Sequence, residues 1–521
     1  MVLATDTTGF TDWLGAAQME VSPILAIAVP LVGAFLIGLA GRWPNLRETT
    51  TMLTAVALLW VVGNLHNSLE ATPAIAETLV EVVPGVPLAF HIEPLGMIYA
   101  MIASSLWILN SIYSIGYMRG NKEKHQTRFY VCFALSLAAV MGIAFAGNMF
   151  TLFVFYEALS LATFPLVTHK GTPDAIRSGR IYLGILMGTS VALMLPAMIA
   201  TYVYTGTLDF TPGGVFTQPL ADGVLSPALF GLIFAMYMYG VGKAALMPAH
   251  RWLPAAMVAP TPVSALLHAV AVVKAGVFSV CKIAVYIIGV DQLRLYDQGA
   301  WLLYVAGASI VIASFIALFQ DNLKRRLAYS TISQLSYITL GAAMFHPLAM
   351  RAAAFHIAAH AFGKITLFFA AGSIYTAAHK TKVSELDGIG RKMPWTMGAF
   401  AIGTLSMIGL PPAGGFISKW YLMRGAWTTE ASFAIAVLCT STLLNAAYFL
   451  PIVYRAFFRK PPEPDHGHDH GHDHGEAPVA IVIALTCTAA ASVALFFYPG
   501  VFAGYAEMLS AAMPTGAAPG K

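Results

Sequence analysis

Charge is what this chain has least of. Asp, Glu, Lys and Arg make up 10% of its 521 residues, where a soluble domain carries about 25%. So few charges cannot cover a water-exposed surface of this size, and a soluble fold is excluded. Cysteine is scarce as well. Cys132, Cys281, Cys439 and Cys487 are scattered, without the spacing of a metal cluster or a disulfide framework. All four fall in apolar runs and are expected in the core. There is no glycine-rich nucleotide loop, so no cofactor is expected and any redox chemistry belongs to partners. The first residues lack the basic region and cleavage site of a signal peptide and read as a short acidic leader (Asp6, Asp12, Glu20).

What the chain has in excess is apolar sequence. It is 58% hydrophobic with a mean hydropathy of +0.71. Runs long enough to cross ~30 Å of hydrocarbon recur from Pro23 almost to the end. Lipid offers the backbone no hydrogen-bond partner, and runs of this length without strand-like alternation mean helices. The expected fold is all-α, a polytopic membrane protein with about 14 transmembrane helices between residues 23 and 506.

The positive-inside rule tests that count. With the N-terminus outside and loops alternating, twenty of the 29 Lys and Arg residues fall in inside loops, from Arg42 and Arg47 to Arg455, Arg459 and Lys460. Outside lie only Arg294, Arg351, Arg424 and Lys521. A wrong count would scramble this alternation. The expected location is the inner (cytoplasmic) membrane, with both termini on its outer face.

Five basic residues then remain inside spans: Lys243, Lys274, Lys282, Lys364 and Lys419. Glu157 is the one carboxylate left at depth, and His268, His356 and His360 join it. A mid-membrane charge costs ~2.5–3.5 kcal/mol even on a lenient scale. Permanent pairing cannot explain five lysines facing one glutamate, so most must lose their proton part of the time, which suits proton transfer. Lys282, nearer its span's outer end, is expected to snorkel instead. Glu157 is expected to pair with Lys243, as a fixed ion pair or a switchable one. In FHIAAHAFGKITLF, His356, His360 and Lys364 recur at i, i+4 and i+8, in one stripe with ~6 Å between neighbours. A single core histidine is commonplace; three ionisable groups on one stripe point to a relay.

Two spans are interrupted, at GKAALMPAHRWLP and at LPPAGGFISKW. Such breaks are tolerated at depth only beside protein or a water-filled cavity, and each lies near a buried lysine. Breaks five spans apart mark an internal repeat, inverted because each unit holds an odd number of spans. The expected division is residues 1–128 for three N-terminal helices, 129–289 and 299–456 for two inverted five-helix units, 457–477 for a loop, and 478–521 for a last helix and tail.

GKAALMPAHRWLPAAMVAPTPVSALLHAVAVVKAGVF, DNLKRRLAYSTISQLSY, HAFGKITLFFAAGS and LPPAGGFISKW resemble the antiporter-like subunit family over roughly residues 90 to 456. That family comprises the L, M and N subunits of respiratory complex I, the A and D subunits of the Mrp sodium/proton antiporter, and subunits of membrane-bound hydrogenases. The resemblance implies a proton pathway through Glu157, Lys243, His268, Lys274, His356, His360, Lys364 and Lys419, with Lys419 as the exit residue. It also implies further membrane subunits as partners, protons with sodium as the candidate exchanged ion, and no nucleic acid. Lys419 stands where the M type has glutamate, which argues against that branch. PTPVSALLH is closer to the L and Mrp A types, whereas length and ending suit a D-type subunit. The alternatives are a proton-pumping subunit of complex I or a hydrogenase, and a membrane partner in inorganic-carbon uptake.

PPEPDHGHDHGHDHGE, between the last two spans, holds His466, His468, His470, His472 and His474. Its Gly, Pro and Asp content makes it a flexible loop. The five histidines are weak metal candidates, zinc or nickel by ligand type, and a solvated insertion with incidental affinity is the simpler reading. A metal transporter built on this tract is the rival from another functional class.

Overall fold

The structure, a computed structural model, describes residues 21–71, 76–461, 475–511 and 513. The acidic leader and all five histidines of the tract lie outside the described residues. The chain is a bundle of long apolar helices, and the expected all-α membrane fold holds. Ten described helices are individually long and apolar enough to cross a bilayer. In the order of the chain, α1 is Pro23–Leu39, α2 Pro44–Ala71, α3 Pro94–Gly120, α4 Gln126–Ala144, α5 Met149–Val167 and α6 Pro173–Thr205. A π-helical turn, Ser190–Met194, interrupts α6.

The remaining expected spans are built from pieces. Helix α7, Pro227–Gly240, stops in a 3₁₀ turn, Gly242–Ala244. Short helical turns at Trp252–Ala255 and Thr261–Ala265 and a π turn at Leu266–Val270 lead into α8, Val272–Ile283. Then come α9 (Ala300–Leu318), α10 (Leu323–Ala343) and α11 (Pro347–Ala378). Helix α12 (Pro394–Ile408) breaks before α13 (Gly414–Thr428), followed by α14 (Ser432–Phe458) and α15 (Val479–Phe497). A separate short helix, α16 (Gly500–Ala511), follows, so the last expected span ends earlier than residue 506.

Polar residues set where these helices begin. The Asn148 side chain accepts from Thr151 N at 2.8 Å to start α5, and Asn322 accepts from Arg325 N at 3.0 Å to start α10. Proline at the first turns of α3, α6, α7, α11 and α12 costs nothing, because those N–H groups have no helical partner. At the second break Gly409 has φ of +90°, a conformation that glycine adopts freely, and two prolines follow.

Helix α11 is the central column. Its apolar window is wholly buried, and it packs against α3, α8, α10, α12, α13, α15 and α16. Helices α1 and α2 lie at the periphery, with Phe35, Leu39 and Leu53 turned outward. Cys439 and Cys487 are exposed on α14 and α15, contrary to the expectation that all four cysteines are core residues; only Cys281 is buried. In a membrane the lipid face of a helix is as apolar as its packed face, so apolar neighbours do not imply burial.

A β-hairpin interrupts the helices where hydropathy suggests only a loop. Strands β1 (Ala76–Val83) and β2 (Val86–His91) pair antiparallel around Gly85, with Thr78 opposite Ala89. The hairpin seats on the α4–α5 connection: Gly147 N donates to Ala89 O at 2.8 Å, and His91 N donates to Phe145 O at 2.7 Å.

Candidate functional site

Four lysines and two histidines converge on the middle of the bundle. Lys243 sits in the 3₁₀ turn where α7 breaks, so its side chain leaves the α7 axis and enters α5. Its Nζ donates to Tyr156 O and to Ser160 Oγ, both at 2.7 Å. It also lies 3.2 Å from the centre of the Tyr156 ring, an ammonium–aromatic contact. Helix α8 comes very close to this turn, because Gly276 carries no Cβ to meet the Lys243–Ala244 peptide.

The expected Glu157–Lys243 ion pair is not closed. Tyr156 and Ser160 occupy the ammonium, and both Glu157 carboxylate oxygens are buried without a hydrogen-bond partner. Glu157 is close enough to act on Lys243 through its charge, but it is not in contact. The local reason is helical geometry: Tyr156 and Ser160 are one turn apart and share a face, whereas Glu157 points about 100° away.

Lys274 on α8 reaches across to α11. Its Nζ lies 2.5 Å from His360 Nδ1, and both residues are fully buried. This contact joins residues 129–289 to residues 299–456, the two stretches expected to form separate units. From His360 the chain of polar groups continues along α11: the His356 ring stacks on it with centroids 6.1 Å apart. His356 Nδ1 meets Ser418 Oγ at 2.7 Å on α13, and its Nε2 meets Gln334 Oε1 at 3.1 Å on α10.

Lys419 closes the series. Its Nζ donates to Met407 O at 2.6 Å and Ile408 O at 3.1 Å, the last carbonyls of α12. A broken helix leaves such carbonyls without partners, and the negative end of its dipole favours a cation there. Gln334 Nε2 donates to the same Met407 oxygen at 3.4 Å, so His356 and Lys419 share one hydrogen-bonded bridge.

Lys364 departs from the expected single stripe. It lies on the same helix as His356 and His360, but its Nζ donates to Ser330 Oγ at 2.9 Å, on α10. Tyr448 OH on α14 donates to that serine at 3.0 Å and also contacts Asn445 Oδ1. His360 therefore faces α8, His356 faces α10 and α13, and Lys364 faces α10 and α14. The backbone of His268 lies in the π turn that precedes α8; its side chain is outside the described residues.

Lys282 corrects a second expectation. It does not snorkel: it is buried, and it lies 2.8 Å from Glu93 Oε1. Glu93 is a second buried carboxylate, and the tally of five lysines against one glutamate falls with it. Glu93 looks peripheral by sequence because it precedes Pro94 at a span boundary, but the hairpin folds over it. Among the described residues Lys282 is the one in-membrane lysine held in an ion pair. The polar partners Tyr156, Ser160, Ser330, Gln334, Ser418 and Tyr448 are not singled out by sequence reasoning. Ser330 and Gln334, one turn apart inside DNLKRRLAYSTISQLSY, carry the signal that could have marked them.

A helical membrane bundle with two broken helices, each placing a lysine among buried polar groups, defines an antiporter-like, proton-translocating membrane subunit. Residues 146–444 match the family described as NADH:quinone oxidoreductase/Mrp antiporter, TM, and the chain belongs to that family. It is 34% identical over 457 residues to NADH-quinone oxidoreductase subunit N of Desulforudis audaxviator (strain MP104C), covering 85% of this chain and 87% of that one. It is 28% identical over 430 residues to hydrogenase-4 component B of Escherichia coli (strain K12), covering 80% of this chain and 62% of that longer one. Its fold superposes on a chain of the Mrp complex from Dietzia sp. DQ12-45-1b with a TM-score of 0.82 and 21% identity, over 95% of this chain and 97% of the other.

Proposed function

We propose that this chain relays protons along Glu157, Lys243, His268, Lys274, His360, His356, Lys364 and Lys419, as the D-type subunit of a multisubunit Mrp-type cation/proton antiporter. The observation that carries the relay is the Lys274–His360 contact at 2.5 Å. It puts a lysine of one half of the chain in hydrogen-bond contact with a histidine of the other, and the polar track runs on to Lys419. Protons are taken up near Glu157 and Lys243, pass Lys274 and the two histidines, and leave at Lys419. Lys364 exchanges with the track from the α10–α14 side.

The two five-helix units, residues 129–289 and 299–456, are proposed as inverted repeats, each containing one broken helix. The proposed setting is the inner membrane, with the N-terminus outside. The contacts of Arg119 with Glu48, of Arg47 with Gln126 and of Arg128 with His169 O support the sidedness, because they join loops that the charge count assigns to one side. The Mrp parent rests on near-complete coverage of the Mrp-complex chain and on lysine at position 419. A second reading, a proton-pumping subunit of a complex I-like oxidoreductase, is favoured by the relation to subunit N.

The test is proton transport by the intact complex in vesicles. Lys364→Ala and Glu157→Ala should assemble but lose proton coupling, and wild-type transport by either would refute the relay. Co-purified subunits identify the parent: small cation-antiporter subunits in one case, iron–sulfur subunits in the other.

A further inference from the structure

The Glu93–Lys282 pair takes no part in the relay described above. Its two side chains are 6% and 1% exposed. The ammonium also donates to Ala146 O at 2.6 Å and lies 4.2 Å from the centre of the Phe210 ring. The pair is thus enclosed by the start of α3, the α4–α5 connection, the segment around Phe210 and the end of α8, with the hairpin above it. A buried pair of this kind is a poor choice if only stability is required, because apolar residues of similar volume often serve as well or better.

Its position suggests another use. Lys282 follows Lys274 by eight residues on α8, so the two share a face ~12 Å apart along the axis. Phe278, midway between them, packs on Tyr99 with ring centroids 5.3 Å apart and forms a dry barrier. Beyond the pair, His91 ends β2 and is only partly buried. Burial lowers its imidazole pKa, while the charge of Glu93 opposes this and that of Lys282 reinforces it. Lys274, Lys282, Glu93 and His91 therefore form a series of titratable groups whose exposure rises towards the hairpin.

We propose that Glu93 and Lys282 form a second proton-release port, serving the first five-helix unit on the hairpin face, beside the port at Lys419. This rests on the relay reading given above. In the closed pair Glu93 is a carboxylate and Lys282 an ammonium. A proton leaving Lys274 crosses the Phe278 barrier through water and binds Glu93. The Lys282 ammonium, now without its counter-charge in a dry site, gives its proton to His91, which passes it to bulk water. The proton on Glu93 then moves to Lys282 and restores the pair. One proton is taken up and one released.

The experiment uses the intact complex in vesicles containing a pH-sensitive dye, with assembly measured on native gels. Lys282→Arg keeps the ion pair, but arginine does not release its proton. With two equal ports, Lys282→Arg should transport at about half the wild-type rate. Lys419→Arg should also retain about half, and the double variant should fall at least tenfold. Wild-type transport by Lys282→Arg overturns the proposal, as does complete loss in Lys419→Arg alone. If Lys282→Arg does not assemble, Glu93→Gln takes its place with the same expectations. Failure of both to assemble makes the pair a structural support and also overturns the proposal. Lys364→Ala in the same preparation separates the two readings: if it is silent while Lys282→Arg is wild-type, only the second port fails, whereas wild-type transport by Lys364→Ala refutes the relay itself.

Discussion

Replacing His360 tests the junction between the two halves most directly. Its Nδ1 lies 2.5 Å from Lys274 Nζ, and no other described contact carries the track from α8 to α11 at this point. His360→Phe removes a hydrogen bond to a group that is charged during transfer, worth ~1.5–3 kcal/mol. If that stabilisation is lost where the proton crosses, transport slows about 10- to 150-fold, at roughly tenfold per 1.4 kcal/mol. The next titratable group on α11, His356, is a further turn away, ~6 Å along the axis, which is too far for direct transfer. His360→Asn separates relay from positioning, since asparagine can accept from Lys274 but does not carry a proton at neutral pH. Both variants should assemble, and both should lose transport in dye-loaded vesicles. Wild-type transport by His360→Phe would refute the junction. Recovery in His360→Asn alone would refute proton carriage by His360 and leave it a positioning residue.

Gly276→Ala puts a Cβ against the Lys243–Ala244 peptide and should destabilise the complex by about 1–3 kcal/mol, seen as a lower melting temperature in detergent. Gln334→Leu breaks the bridge from His356 to Met407 O; transport should fall more than tenfold while assembly is kept, and an unchanged rate would remove Gln334 from the track. Glu476 accepts from Trp395 N at 2.7 Å and Thr396 N at 3.2 Å at the start of α12, so Glu476→Ala should cost about 1 kcal/mol of stability, measured by thermal unfolding of the purified complex. Deleting 465–475, which spares Glu476, should leave proton transport intact; its loss would favour the metal-transport reading of the histidine tract.

Much of this protein was legible before folding. The scarcity of charge required a membrane fold. Pro248 and Pro254 near one lysine, and Pro411 and Pro412 near another, marked both helix breaks. The four motifs pointed to the family that residues 146–444 match. The i, i+4, i+8 spacing placed His356, His360 and Lys364 on one helix, and they do share α11. The partners of those residues were not legible. Lys364 meets Ser330 from α10, and His356 meets Ser418 from α13; serine is too common inside membrane helices to stand out by type.

The sequence alone determined that ionisable side chains are held at membrane depth, because hydropathy and charge sorting are one-dimensional properties. Only the tertiary structure decided which of them meet. Glu157 and Lys243 were expected to pair, yet Lys243 turns to Tyr156 and Ser160, since a helix break redirects a side chain in a way that no spacing rule foretells. Lys282 was expected to reach outward, yet the hairpin closes over it and supplies Glu93. Burial of a residue at the end of a span depends on what folds across it, and the groups that close over this one are separated from it by as many as 189 positions in the chain.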